Sequence, residues 1–172
     1  MSIGRRISAV WGSFGRFHEF FTKRSVGMDL KRRLFRSCVE LAMIYGSETW
    51  ALRLTYRKRL GLSQRKMMRK MAGVTLQDHR TNKWLYRTVS IPEIRVRAIE
   101  RKWQWAAEIS QMPGVIWTHR ILEWTPYEHS HGHGRPKTRW RDEFTEDLGP
   151  TFLRCPVVDP RWKNAIDRRR TP

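Results

Sequence analysis

Only two cysteines, Cys38 and Cys155, occur in 172 residues, far apart and without paired spacing. Neither a zinc ribbon nor a disulfide framework is indicated, and a reducing compartment fits best. No run of 18 apolar residues exists, and Met1 is not followed by a charged start with an unbroken apolar core. The expectation is an intracellular protein, nuclear or cytoplasmic, with no membrane partner and no secretion. Acids are scarce too, 16 against 35 Lys and Arg, and no two aspartates are adjacent. A polymerase or metal-dependent nuclease needs carboxylates converging on divalent cations, so that chemistry lacks its ligands. Gly-rich phosphate loops and nucleophile elbows are missing as well. These absences predict a chain that is no enzyme, without catalytic residues, cofactor, metal or small-molecule substrate.

What the chain has in excess is positive charge, a net +19. Self-repulsion on that scale calls for an anionic partner, and nucleic acid is the commonest. Nine tryptophans, with Phe and Tyr, argue against a disordered basic tail and for a folded core. The periodicity throughout is helical. It predicts a mainly α fold, a small helical bundle followed by a loop-rich helical C-terminal segment. The divisions expected are 1–27 as an N-terminal helix and linker, 28–124 as the helical domain, and 125–172 as a loop and basic helical segment.

A first helix is expected from Ile3 to about Lys23, weakened by Gly12 and Gly15. A second runs from an Asp29 cap to Tyr45, where Gly46 ends it in the left-handed conformation. Its stripe reads Leu30, Leu34, Cys38, Leu41, Ala42 and Tyr45, with Cys38 as a buried structural thiol. Lys31, Arg32, Arg33 and Arg36 populate its early turns. Ser47 or Thr49 caps a third helix bearing Leu52, Tyr56, Leu60, Met67 and Met71, interrupted at Gly61. Between these fall Arg53, Arg57, Lys58, Arg59, Arg65, Lys66, Arg69 and Lys70, eight cations in eighteen positions. Such a face suits a phosphate backbone. Pro92 then fits the first turn of a helix to Gln111, capped by Ser90, with Ile99, Trp103, Ala106 and Ala107 buried and Arg95, Arg97, Arg101 and Lys102 basic.

The segment Val115 to Trp124 reads as a short helix or an extended piece, and 125–134 as a loop. Its alternating His129, His131 and His133 are read as solvated. From Gly134 to Phe144 a turn, a basic cluster and a helix start coincide. Thr138 can cap the helix, while Trp140, Phe144 and Leu148 share one face. Arg135, Lys137, Arg139 and Arg141 lie off that face, beside helix N-terminal N–H groups that favour phosphate. The acids Asp142, Glu143, Glu146 and Asp147 suit their own helix dipole, with Glu143 pairing Arg139 one turn back. Asp159 caps a last helix that ends in Arg168, Arg169 and Arg170, read as a frayed terminus. The nucleic-acid contacts expected are thus Arg57, Lys58, Arg65, Lys66, Arg69, Lys70, Arg135, Lys137, Arg139 and Arg141.

A resemblance runs through these motifs in order. Leu30-Lys31 through Phe35, Cys38-Val39, Tyr45 to Trp50, Gln64-Arg65, Met71 to Gly73, Lys102 to Ala106, Trp117-Thr118, Leu122 to Trp124 and Gly134 to Asp142 resemble the C-terminal part of LINE-type (non-LTR retrotransposon) endonuclease-reverse transcriptases. The resemblance implies a helical thumb and post-thumb region that grips template and primer, whether RNA, DNA or their hybrid. The family's aromatic-Ala-Asp-Asp polymerase motif is missing from this chain, and its endonuclease domain lies further upstream. Departures at Met68, Ala72, Ala107-Glu108, Gln111, Gly114 and Ile116 suggest a decaying copy. The alternative is a stand-alone basic adaptor that binds RNA or ribosomes.

Overall fold

The computed structural model describes residues 3–51, 54–112, 117–124, 139–154 and 159–170. All the regular elements among them are helical, with no strand, so the mainly α architecture read from the sequence is the observed one. The chain forms two compact units, Met1–Tyr45 with Leu54–Ala98, and Gly46–Arg53 with Ile99–Pro172. The sequence segments 1–27, 28–124 and 125–172 follow other boundaries.

In the first unit the expected N-terminal helix divides into α1 (Ile3–Arg16) and α2 (His18–Thr22). The break falls at Phe17, not at the glycines, with φ −115° and ψ 21°. Seven residues of continuous helix would separate Phe14 from Phe21 by about 10 Å along the axis. The break instead lets their rings stack 4.6 Å apart at 5°, with Phe21 edge-on to Phe35 at 6.3 Å. All three rings are fully buried.

The next helix begins after Gly27 as α3 (Met28–Leu34), widens into a π-helical stretch at Phe35–Glu40 and resumes as α4 (Leu41–Ile44). Asp29 is therefore in the first turn rather than at the cap, and its carboxylate bonds Arg32 at 2.8 Å. The buried stripe is also displaced. Lys31, Phe35, Val39, Met43 and Ile44 are buried, whereas Leu30, Leu41 and Tyr45 are exposed and Cys38 is half-buried. A π-helical turn takes more than the 3.6 residues assumed for the expected stripe, so residues four apart stay aligned through it. Gly46 ends the segment at φ 66°, as its position predicts.

Helix α5 (Leu54–Ala72) passes through Gly61 without interruption. A Cβ there would lie 3.2 Å from the Arg65 guanidinium and 3.5 Å from the Glu93 carboxylate, so the missing side chain makes room for both. Leu60, Gln64, Met67, Met68 and Met71 are buried along α5, which packs against α1, α2, α3 and α6 (Asn82–Val89). Thr81 caps α6 by accepting from the Trp84 amide at 3.2 Å. Ser90, expected to cap the following helix, instead ends α6 at φ 52°. Helix α7 (Ile94–Gln111) takes its cap from elsewhere: Ile94 N donates to Gln64 Oε1 at 2.9 Å, and Gln64 Nε2 donates to Pro92 O at 2.7 Å. One buried glutamine on α5 thus satisfies the start of α7.

The second unit contains the later turns of α7, a 3-10 turn at Ser47–Thr49, α8 (Trp117–Glu123), α9 (Asp142–Leu148) and α10 (Pro160–Arg170). Its core joins Ile99, Trp103, Ala106 and Ile109 of α7 to Phe144, Leu148, Phe152, Trp162 and Ala165. Trp103 is fully buried, with ring centroids 4.7 Å from Phe144 and 5.6 Å from Trp162. Asp159 caps α10 by accepting from Arg161 N at 2.9 Å, as expected.

Candidate nucleic-acid interface

On α5 the apolar residues turn inward, and a helical repeat puts Lys58, Arg59, Leu62, Lys66 and Lys70 on the opposite side. All five are exposed. From Lys58 to Lys70 this face covers about 18 Å of helix. The other three expected contacts on α5 are half-buried and held by the first unit itself. Arg69 donates to Arg80 O at 3.0 Å and to Asn82 Oδ1 at 3.3 Å, tying α5 to the start of α6. Arg65 lies over Gly61, and burial pushes the Tyr86 hydroxyl up in pKa. Arg57 is half-buried beside them in sequence. The basic stretch therefore resolves into an outward row of cations and an inner set of structural guanidiniums.

Arg139 and Arg141 are half-exposed in the second unit, on either side of Trp140. Arg139 N donates to Asp142 Oδ2 at 2.6 Å, fixing the turn into α9. Trp140 packs 4.6 Å from Phe144 and 5.3 Å from Trp105, and its Nε1 donates to Glu48 O. With Phe144 and Leu148 buried, the apolar face read from the sequence is the observed one. Arg135, Lys137 and Thr138 lie outside the described residues, as do the three loop histidines. The described members of the expected set thus fall in both units: six on α5, with Arg139 and Arg141 before α9.

Two cations read as lying off the apolar stripes are buried. Lys102 reaches Glu143 at 2.9 Å and lies 5.3 Å and 5.1 Å from the Trp140 and Phe144 rings. Glu143 thus has a partner from α7. Lys31 donates to Met71 O at 3.1 Å, and burial pushes its pKa down. Arg168 and Arg169 of the terminal run are not frayed. Arg169 binds Asp147, Glu146 at 2.8 Å and the Glu143 carbonyl at 3.2 Å, while Arg168 reaches Asp147 at 3.1 Å. Burial lowers the pKa of Arg169, but its bonds to Asp147 and Glu146 outweigh this and raise it. Each acid of the α9 cluster is consequently engaged in holding the second unit together. Among the described residues no three His, Cys, Asp or Glu side chains gather as a metal site.

A basic, mainly helical protein with an outward row of lysines is the class these observations define. An uncharacterized transposon-derived protein of Caenorhabditis elegans is 26% identical to this chain over 176 residues, covering 97% of the chain and 61% of that protein. The chain is thus similar to a transposon-derived protein and spans about three fifths of its length. No family model matches the chain, and no solved structure does.

Proposed function

We propose that this chain binds nucleic acid as a thumb-like C-terminal segment of a LINE-type reverse transcriptase, holding template and primer without catalysing a reaction itself. The observation that carries the reading is the exposed row Lys58, Arg59, Lys66 and Lys70 on one face of α5. A-form hybrids are recognised by shape and backbone, for which a rigid helix bearing spaced cations is suited. Similarity to a transposon-derived protein and a net charge of +19 support it further. So does the use of Asp142, Glu143, Glu146 and Asp147 in bonds within the second unit, which occupies the one acidic cluster. No helix among the described residues is long and apolar enough to cross a membrane.

Binding of the full chain to duplex DNA, duplex RNA and hybrid, titrated with salt, tests this role. Affinity should fall linearly on a log-log plot, with a slope of about 0.9 per neutralised phosphate on duplex DNA. The Lys58→Ala, Lys66→Ala, Lys70→Ala triple variant should lower that slope by roughly 2 to 3 and weaken binding uniformly across sequences. A salt-insensitive affinity would contradict the role. Primer extension or plasmid nicking that disappears in Asp142→Ala would refute the absence of catalysis.

A further inference from the structure

We propose that a groove in the second unit receives unstacked bases of single-stranded nucleic acid; this deepens the nucleic-acid role above and rests on it. The groove has a volume of about 540 Å³, inside the range of roughly 300–1,000 Å³ typical of ligand sites. Three indoles line it: Trp105 from α7, Trp124 at the end of α8, and Trp140 ahead of α9. Trp105 and Trp140 meet edge to face at 85°, so the walls are set at an angle rather than stacked shut. Trp124 is 69% exposed and Ile121, also in the lining, 67%. Large apolar side chains left open in this number mark a surface that meets a partner.

The lining chemistry selects the partner. Its cationic members are Arg139 and Arg141, and it contains no carboxylate. Indoles offer stacking surfaces for any base, and guanidiniums pair with the phosphates that connect them, which is the combination single strands use. On α8, which supplies part of the lining, Arg120 also lies 5.4 Å over the Trp117 ring, the same pairing of cation and aromatic. A second copy of the chain is a poor occupant, because bringing two +19 molecules together adds repulsion at a cationic rim. Duplex nucleic acid hides its base faces and cannot use the indoles. The groove therefore divides the labour with α5: the lysine row follows backbone, and the tryptophans hold bases that have left the stack.

The full chain is titrated with oligothymidylate, oligouridylate, an abasic strand of equal length and a duplex, with intrinsic tryptophan fluorescence as a second readout. Trp124 is exposed, so Trp124→Ala should keep the wild-type melting temperature. It should weaken binding of the two base-bearing strands by roughly 5- to 150-fold, the usual effect of losing one stacked base. Abasic-strand affinity, duplex affinity and the salt slope should not change, and quenching on binding should shrink. If the variant binds oligothymidylate and oligouridylate as the wild type does while duplex binding persists, the groove proposal falls and the role of α5 stands. If the wild type binds none of the ligands at low salt, both fall. A wild-type dimer in sedimentation, lost in Trp124→Ala with single-strand affinity intact, would make the groove a protein interface and overturn the proposal.

Discussion

Lys102 and Glu143 meet 2.9 Å apart in the second unit, with side chains only 1% and 8% exposed. One comes from the middle of α7 and the other from the first turn of α9, so the pair joins the two helices that carry Trp103 and Phe144. Aromatic rings of Trp140 and Phe144 lie within 5.3 Å of the ammonium and close it off from water. A charge in such a place is tolerable only while its partner stays.

Removing one member should therefore do more harm than removing both. Lys102→Met alone removes the ammonium that faces a buried carboxylate and should cost about 3–5 kcal/mol, and Glu143→Leu alone a similar amount. The double variant should recover most of that loss. Denaturant melts of the three variants measure the coupling, and strictly additive losses would show that the two groups do not depend on each other.

Trp140 and its flanking arginines should separate cleanly. The indole packs on Phe144 and Trp105, so Trp140→Ala should cost about 3 kcal/mol of stability. Arg139→Ala and Arg141→Ala should leave the melting temperature nearly unchanged, weaken binding across sequences and reduce the salt slope by about 1 each. Thermal melts with binding isotherms decide it. Arginine variants that melt as early as Trp140→Ala, while their folded fraction binds normally, would make the motif wholly structural.

Gln64 should matter more than a mid-helix glutamine normally does. Gln64→Leu leaves the Ile94 N–H and the Pro92 carbonyl without their partner and should destabilise by about 1–3 kcal/mol. Hydrogen exchange at Ile94 should accelerate in the variant. Unchanged protection there would mean that the start of α7 is held by something else.

Lys31 predicts a pH dependence. Burial lowers its folded pKa, so between that value and the ordinary lysine value the unfolded chain holds more protons than the folded one. Stability from this group then rises as pH climbs through that alkaline interval. Tyr86 acts in the opposite sense, since burial raises its pKa and the folded state keeps a proton that the unfolded state releases. The difference between wild type and Lys31→Met isolates the lysine. Its stability curve should lose the alkaline rise, and identical curves would contradict a depressed pKa.

Features that depend on a few neighbouring residues were legible in the sequence. Gly46 takes the left-handed conformation that ends a helix, Asp159 caps α10, and Trp103 and Phe144 repeat at the spacing of a buried face. On α5 the charge pattern alone put Lys58, Lys66 and Lys70 outside, because methionines and leucine claim the other side. Helix geometry and hydrophobic burial act over one or two turns, and both can be read from spacing.

Tertiary structure decided which cations are solvated. Lys31, Lys102 and Arg169 carry the same signature as their exposed neighbours, and each is drawn in by a group 40, 41 or 22 residues away. It also decided the break at Phe17, where the rings of Phe14 and Phe21 stack, and the π-helical widening at Phe35–Glu40, in a segment whose Leu30 and Leu41 face outward. Trp124 and Ile121 show the converse. The segment that holds them reads as a short helix or an extended piece, with no face assigned to the core, and in the fold they line an open groove. Local spacing determines that a side chain has a face to share, whereas the fold supplies what meets it: a carbonyl, a carboxylate, another ring or solvent.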